Sequence, residues 1–256
     1  MKPVEEMKVL LSTQCGANGI MPDYHITVCT MVATAKCQLG MTLIKSQPVP
    51  FAQNNHARIA RDDGFDYLLL MDADTTNCPS DIIERFIAWD KDVVSAYSYN
   101  RHFPYMANVF KLQNETESLY DLKPERHSGP NGGALTVGQG LQKVDMVSTQ
   151  MLLIKTEVFS KVEFPWFSYE KNILPDAFFC QKCRDAGVEV WCDTDYVAEH
   201  GGLNPIKRKH LIAYHEEVDG KDYSQYDEQR DKKVNVFKSR HGNKIEGMTA
   251  RKVGVT

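Results

Sequence analysis

The chain of 256 residues lacks the features that mark several large classes of protein. It has no run approaching ~20 consecutive apolar residues, the length that a membrane-spanning helix requires. Its opening stretch, MKPVEEMKVLLSTQ, has a short apolar run and two glutamates and does not resemble a secretory signal. No internal repeat is evident. We therefore expect a globular protein without a membrane span.

The cysteines do not form the even-numbered framework that small secreted domains use. There are seven, and they are scattered, which predicts a reduced, cytoplasmic setting. Cys180 and Cys183 have the C-x-x-C spacing found in zinc and redox sites. No second pair lies at zinc spacing and the motif falls in a helical pattern, so we expect these two side chains to pack in the interior.

A strong charge of either sign is also lacking, since the net charge is −4. Hydrophobic content of 42% and charged content of 25% are ordinary for a soluble globular protein. Residues 203–256 hold 12 Lys or Arg against 8 Asp or Glu. Such a basic extension can meet an anionic partner such as nucleic acid, but its mixed signs are more typical of a solvated face.

Short apolar runs alternate with helical patterns over the first hundred residues. KVLLST, MTLIKS, FDYLLLM and DVVSAY predict four strands, with a helix between each successive pair. This alternation predicts a doubly wound, mostly parallel sheet flanked by helices, which binds ligands beyond the carboxyl ends of its strands. The first helix, predicted over 23–39, has on one side Ile26, Cys29, Val32 and Ala33.

The pattern is less regular beyond residue 100. Residues 114–142 are polar and rich in glycine and predict a long loop. Strand character returns over 144–155, a helix is predicted over 176–187, and a strand over 188–192. The motif VAEHGG then places His200 before two glycines.

The stretch MDADTTNCP at 71–79 carries the strongest chemical signal. A hydrophobic strand ends there on two carboxylates, Asp72 and Asp74, which repel each other unless a cation lies nearby. Oxygen ligands suit Mg²⁺ or Mn²⁺, and such an ion can bridge to a diphosphate and neutralise charge on a leaving group. The alternative is that the two side chains cap the next helix or bind loop amides.

Four features follow one another in a fixed order: DAD after a hydrophobic strand, PWF, the helix start D-x-x-F-C, and a late H-G-G. Over roughly residues 8–202 this order resembles the GT-A glycosyltransferases, especially compact members of the family-2-like type. The resemblance implies one α/β domain over 1–202, with a nucleotide-binding half (1–100), an acceptor half (101–202) that carries a smaller sheet, and a C-terminal extension (203–256). It also implies metal-dependent transfer of a sugar from a nucleotide-diphosphate sugar to an acceptor hydroxyl.

The same resemblance implies roles for residues of the nucleotide and metal sites. Asp72 would face the ribose or the water shell of the metal, Asp74 would ligate the metal directly, and His200 would be a further protein ligand. Thr13 and Gln14 would lie beside the nucleotide base. Asn54 stands at the asparagine of the family's Arg-Asn pair and is assigned to the nucleotide site, although Gln53 stands at the arginine.

On the acceptor side, Asp176 would be the general base that takes the proton from the acceptor hydroxyl in an inverting reaction. Pro175 stands where family members often have a glutamate. A helix N-cap remains the alternative role for Asp176. Trp166 and Phe167 would contact the acceptor through their ring faces, and burial in the core is the alternative for at least one of them.

Two other functions remain open. A nucleotidyltransferase can share this sheet and also uses carboxylates with Mg²⁺, but the loop STQCGANGIMP has none of the Arg or Lys residues that usually hold a triphosphate. A non-catalytic sugar- or nucleotide-binding protein would be expected to lose Asp74, Asp176 or His200, and all three are present. The resemblance implies an acceptor that is a glycan, a protein or a modified DNA base, and the sequence does not choose among them.

Overall fold

The computed structural model describes residues 2–16, 20–99, 107–112, 118–121, 137–170 and 173–201. Its strands are β1 (Lys8–Cys15), β2 (Gln38–Lys45), β3 (Tyr67–Asp72), β4 (Thr75–Thr76), β5 (Val93–Tyr97), β6 (Leu141–Val144), β7 (Met151–Lys155), β8 (Val190–Val197) and β9 (Glu199–His200). Its α-helices are α1 (Pro22–Thr34), α2 (Val49–Asp62), α3 (Ile82–Ala88), α4 (Val158–Lys161) and α5 (Pro175–Asp185).

Seven strands form one sheet in the order β2-β1-β3-β7-β5-β8-β6. β1 lies parallel to β2 and β3, and β5 lies parallel to β8, whereas β7 and β6 run antiparallel to their neighbours. Five of the seven strands therefore run in one direction, which confirms the predicted mostly parallel α/β sheet flanked by helices. β4 and β9 form a second, two-stranded antiparallel sheet.

The hydrophobic core lies on both faces of the large sheet because successive strand residues point to opposite faces. Helices α2 and α5 cover one face, and α1 and α3 cover the other. The first cluster includes Leu10, Ala57, Leu68 and Phe179, and the second includes Leu11, Met31, Leu69 and Phe86. β1, β3 and β5 contribute buried residues to these clusters, whereas β2 contributes only the partly buried Leu39.

Helix α1 differs from its prediction in length and in the side that it buries. It ends at Thr34, and β2 begins at Gln38, because the segment after it pairs in parallel with β1 over eight residues. Tyr24, Thr27, Val28 and Met31 are its buried residues. The apolar side predicted from the sequence is exposed instead, with Ile26 at 65%.

The predicted strand over 144–155 is divided. β6 ends at Val144 and β7 begins at Met151, with the connection 145–150 between them. Most of the predicted loop over 114–142 and the whole extension 203–256 lie outside the described residues. In the described part of the chain, no helix has the length and apolar character needed to cross a membrane.

Candidate active site at the carboxyl end of β3

The two-stranded sheet brings the DAD motif and the H-G-G motif together. Thr75 pairs with His200 and Thr76 with Glu199, and the amide of Gly201 donates a hydrogen bond to the Asp74 carbonyl at 2.6 Å. Two segments that are far apart in the sequence are thereby fixed side by side at the end of β3. The main chains of Asp74 and His200 are therefore close to each other, and their roles in one site stay a prediction.

Glycine at position 201 permits this close approach. A Cβ built there would lie 2.8 Å from Cγ2 of Thr76 and 3.3 Å from the Asp74 carbonyl oxygen. Ordinary contacts between carbon atoms are ~3.5–4.0 Å. A larger residue would therefore push β9, and His200 with it, away from Asp74.

Gln150 connects β3, β4 and the residue before β9 through hydrogen bonds. Its carbonyl oxygen accepts hydrogen bonds from the Asp72 amide and from Oγ1 of Thr75, both at 3.1 Å. Its side-chain Nε2 donates to the carbonyl of Ala198 at 3.2 Å, next to β9. Gln150 is buried, so these bonds are shielded from competition with water, and one residue holds both β3 and the approach to β9 in place.

The side chains at this site do not converge into a preformed metal cage. Among the described residues, no three His, Cys, Asp or Glu side chains are grouped so that they could hold a metal ion. The donor types present, two carboxylates and an imidazole, suit a divalent cation. Mg²⁺ is usually held by one or two carboxylates together with substrate phosphates, and that mode requires no complete protein cage.

A narrow polar gap adjoins Asp72, between α2 and the ends of β1 and β3. It is lined by Ser12, Gln14, Gln53, His56, Leu70, Met71, Asp72 and Thr149. Four buried atoms in it have no hydrogen-bond partner among the described residues: Ser12 Oγ, Gln14 Oε1, Gln53 Oε1 and His56 Nδ1. Buried polar atoms are normally bonded, but this gap is too narrow to hold even a water molecule, so the four unbonded atoms do not by themselves indicate a ligand.

The gap is held by hydrogen bonds from α2. Nε2 of Gln53 donates to Oγ1 of Thr149 at 3.0 Å, and Nε2 of His56 lies 3.2 Å from the Thr13 carbonyl, to which it can donate. Burial lowers the pKa of His56 to about 4, so its ring is neutral at pH 7. These contacts fix α2 against β1 and against the segment that precedes β7.

Thr13 and Gln14 are placed differently from each other. Oγ1 of Thr13 is buried and hydrogen-bonded to the hydroxyl of Tyr24 in α1. Burial raises the pKa of Tyr24, and the negative charge of Asp72 contributes to the rise. Gln14 is paired in register with Asp72 and borders the polar gap. Of the two predicted base-site residues, Gln14 is thus the one whose side chain borders the gap.

Asp176 lies in the first turn of α5, not at its N-cap, which is Leu174. Its Oδ1 accepts a hydrogen bond from the Ala177 amide at 3.2 Å. Burial raises the pKa of this carboxyl to about 6, while hydrogen bonds from its own amide and that of Ala177 oppose the rise. A carboxylate with a pKa close to neutrality is well suited to accept a proton at pH 7.

Asn54 has a structural position. Its Nδ2 donates to the carbonyls of Pro50 and Phe167, both at 2.7 Å, and its Oδ1 accepts from the amides of Trp166 and Phe167 at 3.1 and 3.2 Å. The amide group is therefore occupied by the main chain of the P-W-F segment. Its predicted nucleotide contact gains no support from this arrangement.

Trp166 and Phe167 are both buried, at 1% exposure each. Phe167 stacks on Phe179 with ring centroids 4.7 Å apart, and Nε1 of Trp166 donates to the Val162 carbonyl at 2.9 Å. Their ring faces are in contact with protein, so the predicted stacking on an acceptor gains no support. Burial was the stated alternative for at least one of them, and both adopt it.

Sequence reasoning missed several residues that organise the site. The two-residue strands β4 and β9 are too short to show the alternation of apolar and polar residues that identifies a strand, so their pairing was not predictable from the sequence. Glu199 is buried beside His200 and accepts a hydrogen bond from Nδ2 of Asn77 at 2.9 Å. Gln150 and His56 gave no local signal, since their roles depend on contacts distant in sequence. The H-G-G motif was the one available signal for the close approach at Gly201.

Comparison with known proteins supports the architecture alone. No protein-family model and no curated protein matches the sequence. Among solved structures, the chain resembles A197 from STIV with a TM-score of 0.54 and 14% identity, covering 80% of this chain and 92% of that one. Such a likeness at low identity concerns the fold and not the activity.

Two other solved structures resemble the chain less closely. The 4-diphosphocytidyl-2C-methyl-D-erythritol synthase from Anaerococcus prevotii DSM 20548 has a TM-score of 0.42 and 10% identity, covering 84% of this chain and 97% of that one. The inositol-1-phosphate CTP transferase from T. maritima has a TM-score of 0.44 and 10% identity, covering 84% and 98%. At these TM-scores neither similarity carries a functional conclusion.

Proposed function

We propose that the protein is a metal-dependent glycosyltransferase that uses a nucleotide-diphosphate sugar. The observation that carries the proposal is the pairing of β4 with β9, which fixes His200 beside Asp74 at the carboxyl end of β3. Carboxylates and an imidazole at that end of an α/β sheet lie where ligands bind in such folds. The sequence resemblance led us to expect this grouping, and the backbone arrangement is consistent with it.

The nucleotide would bind across the end of β3, with its base beside Thr13 and Gln14. Asp74 and His200, with Asp72 close by, would hold Mg²⁺ or Mn²⁺ together with oxygens of the diphosphate. The ion would supply charge neutralisation for the nucleoside diphosphate that leaves.

Asp176 would act on the acceptor. Segment 147–150 links α5 to the nucleotide side, because Sγ of Cys180 contacts the Val147 carbonyl at 3.8 Å and Gln150 bonds the Asp72 amide. The Asp176 carboxylate would accept the proton of the acceptor hydroxyl as its oxygen attacks the sugar. A base in this role implies inversion at the anomeric carbon. The acceptor is a glycan, a protein or a modified DNA base.

The test compares binding with turnover in two variants. Asp74→Ala is expected to abolish both metal-dependent nucleotide binding and turnover, because it removes a metal ligand. Asp176→Asn is expected to keep nucleotide binding and lose turnover, because the amide cannot accept the proton. Asp63→Ala, at an exposed position at the end of α2, is the matched control and should leave both unchanged.

The alternative is a nucleotidyltransferase with the same sheet, and a non-catalytic binding protein is the third possibility. Tight binding of a nucleoside triphosphate with Mg²⁺, and weak binding of every diphosphate, would favour the nucleotidyltransferase. Equal nucleotide affinity in Asp74→Ala and in the wild type would contradict the metal assignment.

A further inference from the structure

The large sheet ends in an open edge at β2. Among the described residues β2 pairs only with β1, over the eight residues Gln38–Lys45, without a register shift. Sheet edges are usually protected by proline, by bulges or by several charged side chains. β2 has no proline and one charged residue, Lys45 at its end. It also presents two large apolar side chains to solvent, Met41 at 56% exposure and Leu43 at 53%.

Helix α1 also has an exposed flank with apolar residues. Thr27 and Thr34 lie against the segment that follows β4, through bonds to the Asn77 amide (3.0 Å) and the Ser80 carbonyl (3.1 Å). Successive helix residues are turned ~100° about the axis, so Cys29 and Val32 lie on the opposite flank. In the strand order that flank is the side of β2. Both residues are exposed.

Met41 and Leu43 lie on the same face of the sheet as α1. Their parallel partners in β1 are Leu11 and Thr13, and Leu11 packs in the cluster that includes Met31 of α1. The open backbone edge and these two apolar strand residues, on the face that α1 covers, form the surface that we call the β2 edge.

We propose that the β2 edge is a self-association surface, on which a second copy of this chain adds its own β2 antiparallel across a two-fold axis. The unpaired amide and carbonyl groups of an edge strand are complemented by another strand. Pairing centred on Thr42 places Met41 of each copy opposite Leu43 of the other, because cross-strand partners share a face. A two-fold interface of this kind closes at a dimer.

The mutual pairing of the exposed Met41 and Leu43 side chains favours a second copy as the occupant, and charge does not oppose it. A two-fold axis brings each residue near its own counterpart, so a surface rich in one sign would repel itself. β2 carries Lys45 and α1 carries Asp23, one charge of each sign. In the register centred on Thr42, Lys45 lies opposite Leu39, at the end of the paired region and away from the axis.

The experiment is analytical ultracentrifugation of the full chain over a range of concentrations, with variants Leu43→Lys and Met41→Lys. The wild type is expected to sediment as a dimer. Each variant is expected to raise the dimer dissociation constant at least ~100-fold, because it places two lysines close to the axis in a partly dehydrated interface. Leu174→Lys, at a residue that is similarly exposed (60%) but lies at the start of α5, is the matched control and should leave the dimer intact.

Thermal unfolding of each variant excludes loss of folding as the cause, and either strand variant suffices if the other fails to fold. A wild-type chain that remains a monomer at about 100 μM, a weak affinity for a specific interface, would overturn the proposal. That result would indicate that another part of the chain, or another partner, packs on the β2 edge. A dimer that survives both strand substitutions would overturn it as well, since the interface would then lie elsewhere.

Discussion

Replacing Gly201 by alanine tests the close contact that joins the two halves of the candidate site. The new Cβ would lie 2.8 Å from Cγ2 of Thr76, about 0.7 Å inside the shortest ordinary carbon–carbon contact. Thr76 is buried and paired to β9, so it has little freedom to move away. We expect the variant to lose ~1–3 kcal/mol of unfolding free energy, the usual range for overpacking.

A second substitution separates this steric reason from others. Thr76→Ser removes the methyl group that the new Cβ would meet, at a cost of ~1 kcal/mol for the lost buried methyl. In the double variant the clash with Cγ2 is absent, so its stability should exceed the sum of the two single effects by ~1–2 kcal/mol. Recovery should be incomplete, because the contact with the Asp74 carbonyl at 3.3 Å remains.

The assay is urea denaturation of the four proteins, followed by titration with a nucleoside diphosphate and Mn²⁺. Nucleotide binding should weaken in Gly201→Ala and recover in the double variant, because His200 returns towards Asp74. Gly16→Ala is the control, since a Cβ at residue 16 meets nothing within 4 Å. Additive stability effects in the double variant would refute the proposed contact between positions 201 and 76.

Three further predictions concern buried polar groups. Asn54→Ala should lower the unfolding free energy by ~2–4 kcal/mol, because it strands main-chain groups of the P-W-F segment, whereas Asn55→Ala at a partly exposed position should change it little; equal losses in urea denaturation would contradict this. Asp176 binds its proton more tightly in the folded state (pKa about 6) than in the unfolded state (3.8), so its ionisation lowers the unfolding free energy as pH rises from 4 to 6. Relative to the wild type, Asp176→Asn should therefore be more favourable to the unfolding free energy at pH 7 than at pH 4. His56 binds its proton less tightly in the folded state (pKa about 4) than in the unfolded state (6.5), so its contribution to the unfolding free energy is lost as pH falls from 6.5 to 4. His56→Gln should flatten that part of the plot of unfolding free energy against pH, even if the variant is less stable at every pH. An unchanged slope of that plot would exclude His56 as the titrating group.

The sheet was predictable because each of its main strands is recognisable from a short local run of residues. The runs that became β1, β3 and β5 are continuous and apolar, as expected of strands buried on both faces. It failed for α1, where the apolar side with Ile26 is exposed and the buried side includes Thr27. Helical spacing identifies a helix, but which side it buries depends on neighbours that the sequence does not show, here β1 and the segment around Asn77.

At the candidate site, the sequence identified the residue types on which the proposal rests but not the contacts that hold them in place. Asp72 and Asp74 were visible because carboxylates after a buried strand are unusual, and His200 because two glycines follow it. Gln150 was not visible, because its effect comes from bonds to residues 72, 75 and 198. For Asn54 and Trp166 the structure shows contacts within the protein, which the resemblance did not predict, and their proposed ligand contacts stay predictions.

Calorimetric titration of the purified wild-type chain with UDP, GDP, CDP and dTDP, each with and without Mn²⁺, tests the central claim most directly. The account predicts that one of these diphosphates binds tightly and only when the metal is present, because the cation links Asp74 and His200 to the phosphate oxygens. Binding that is equally tight without metal, or no binding of any diphosphate under either condition, would contradict it.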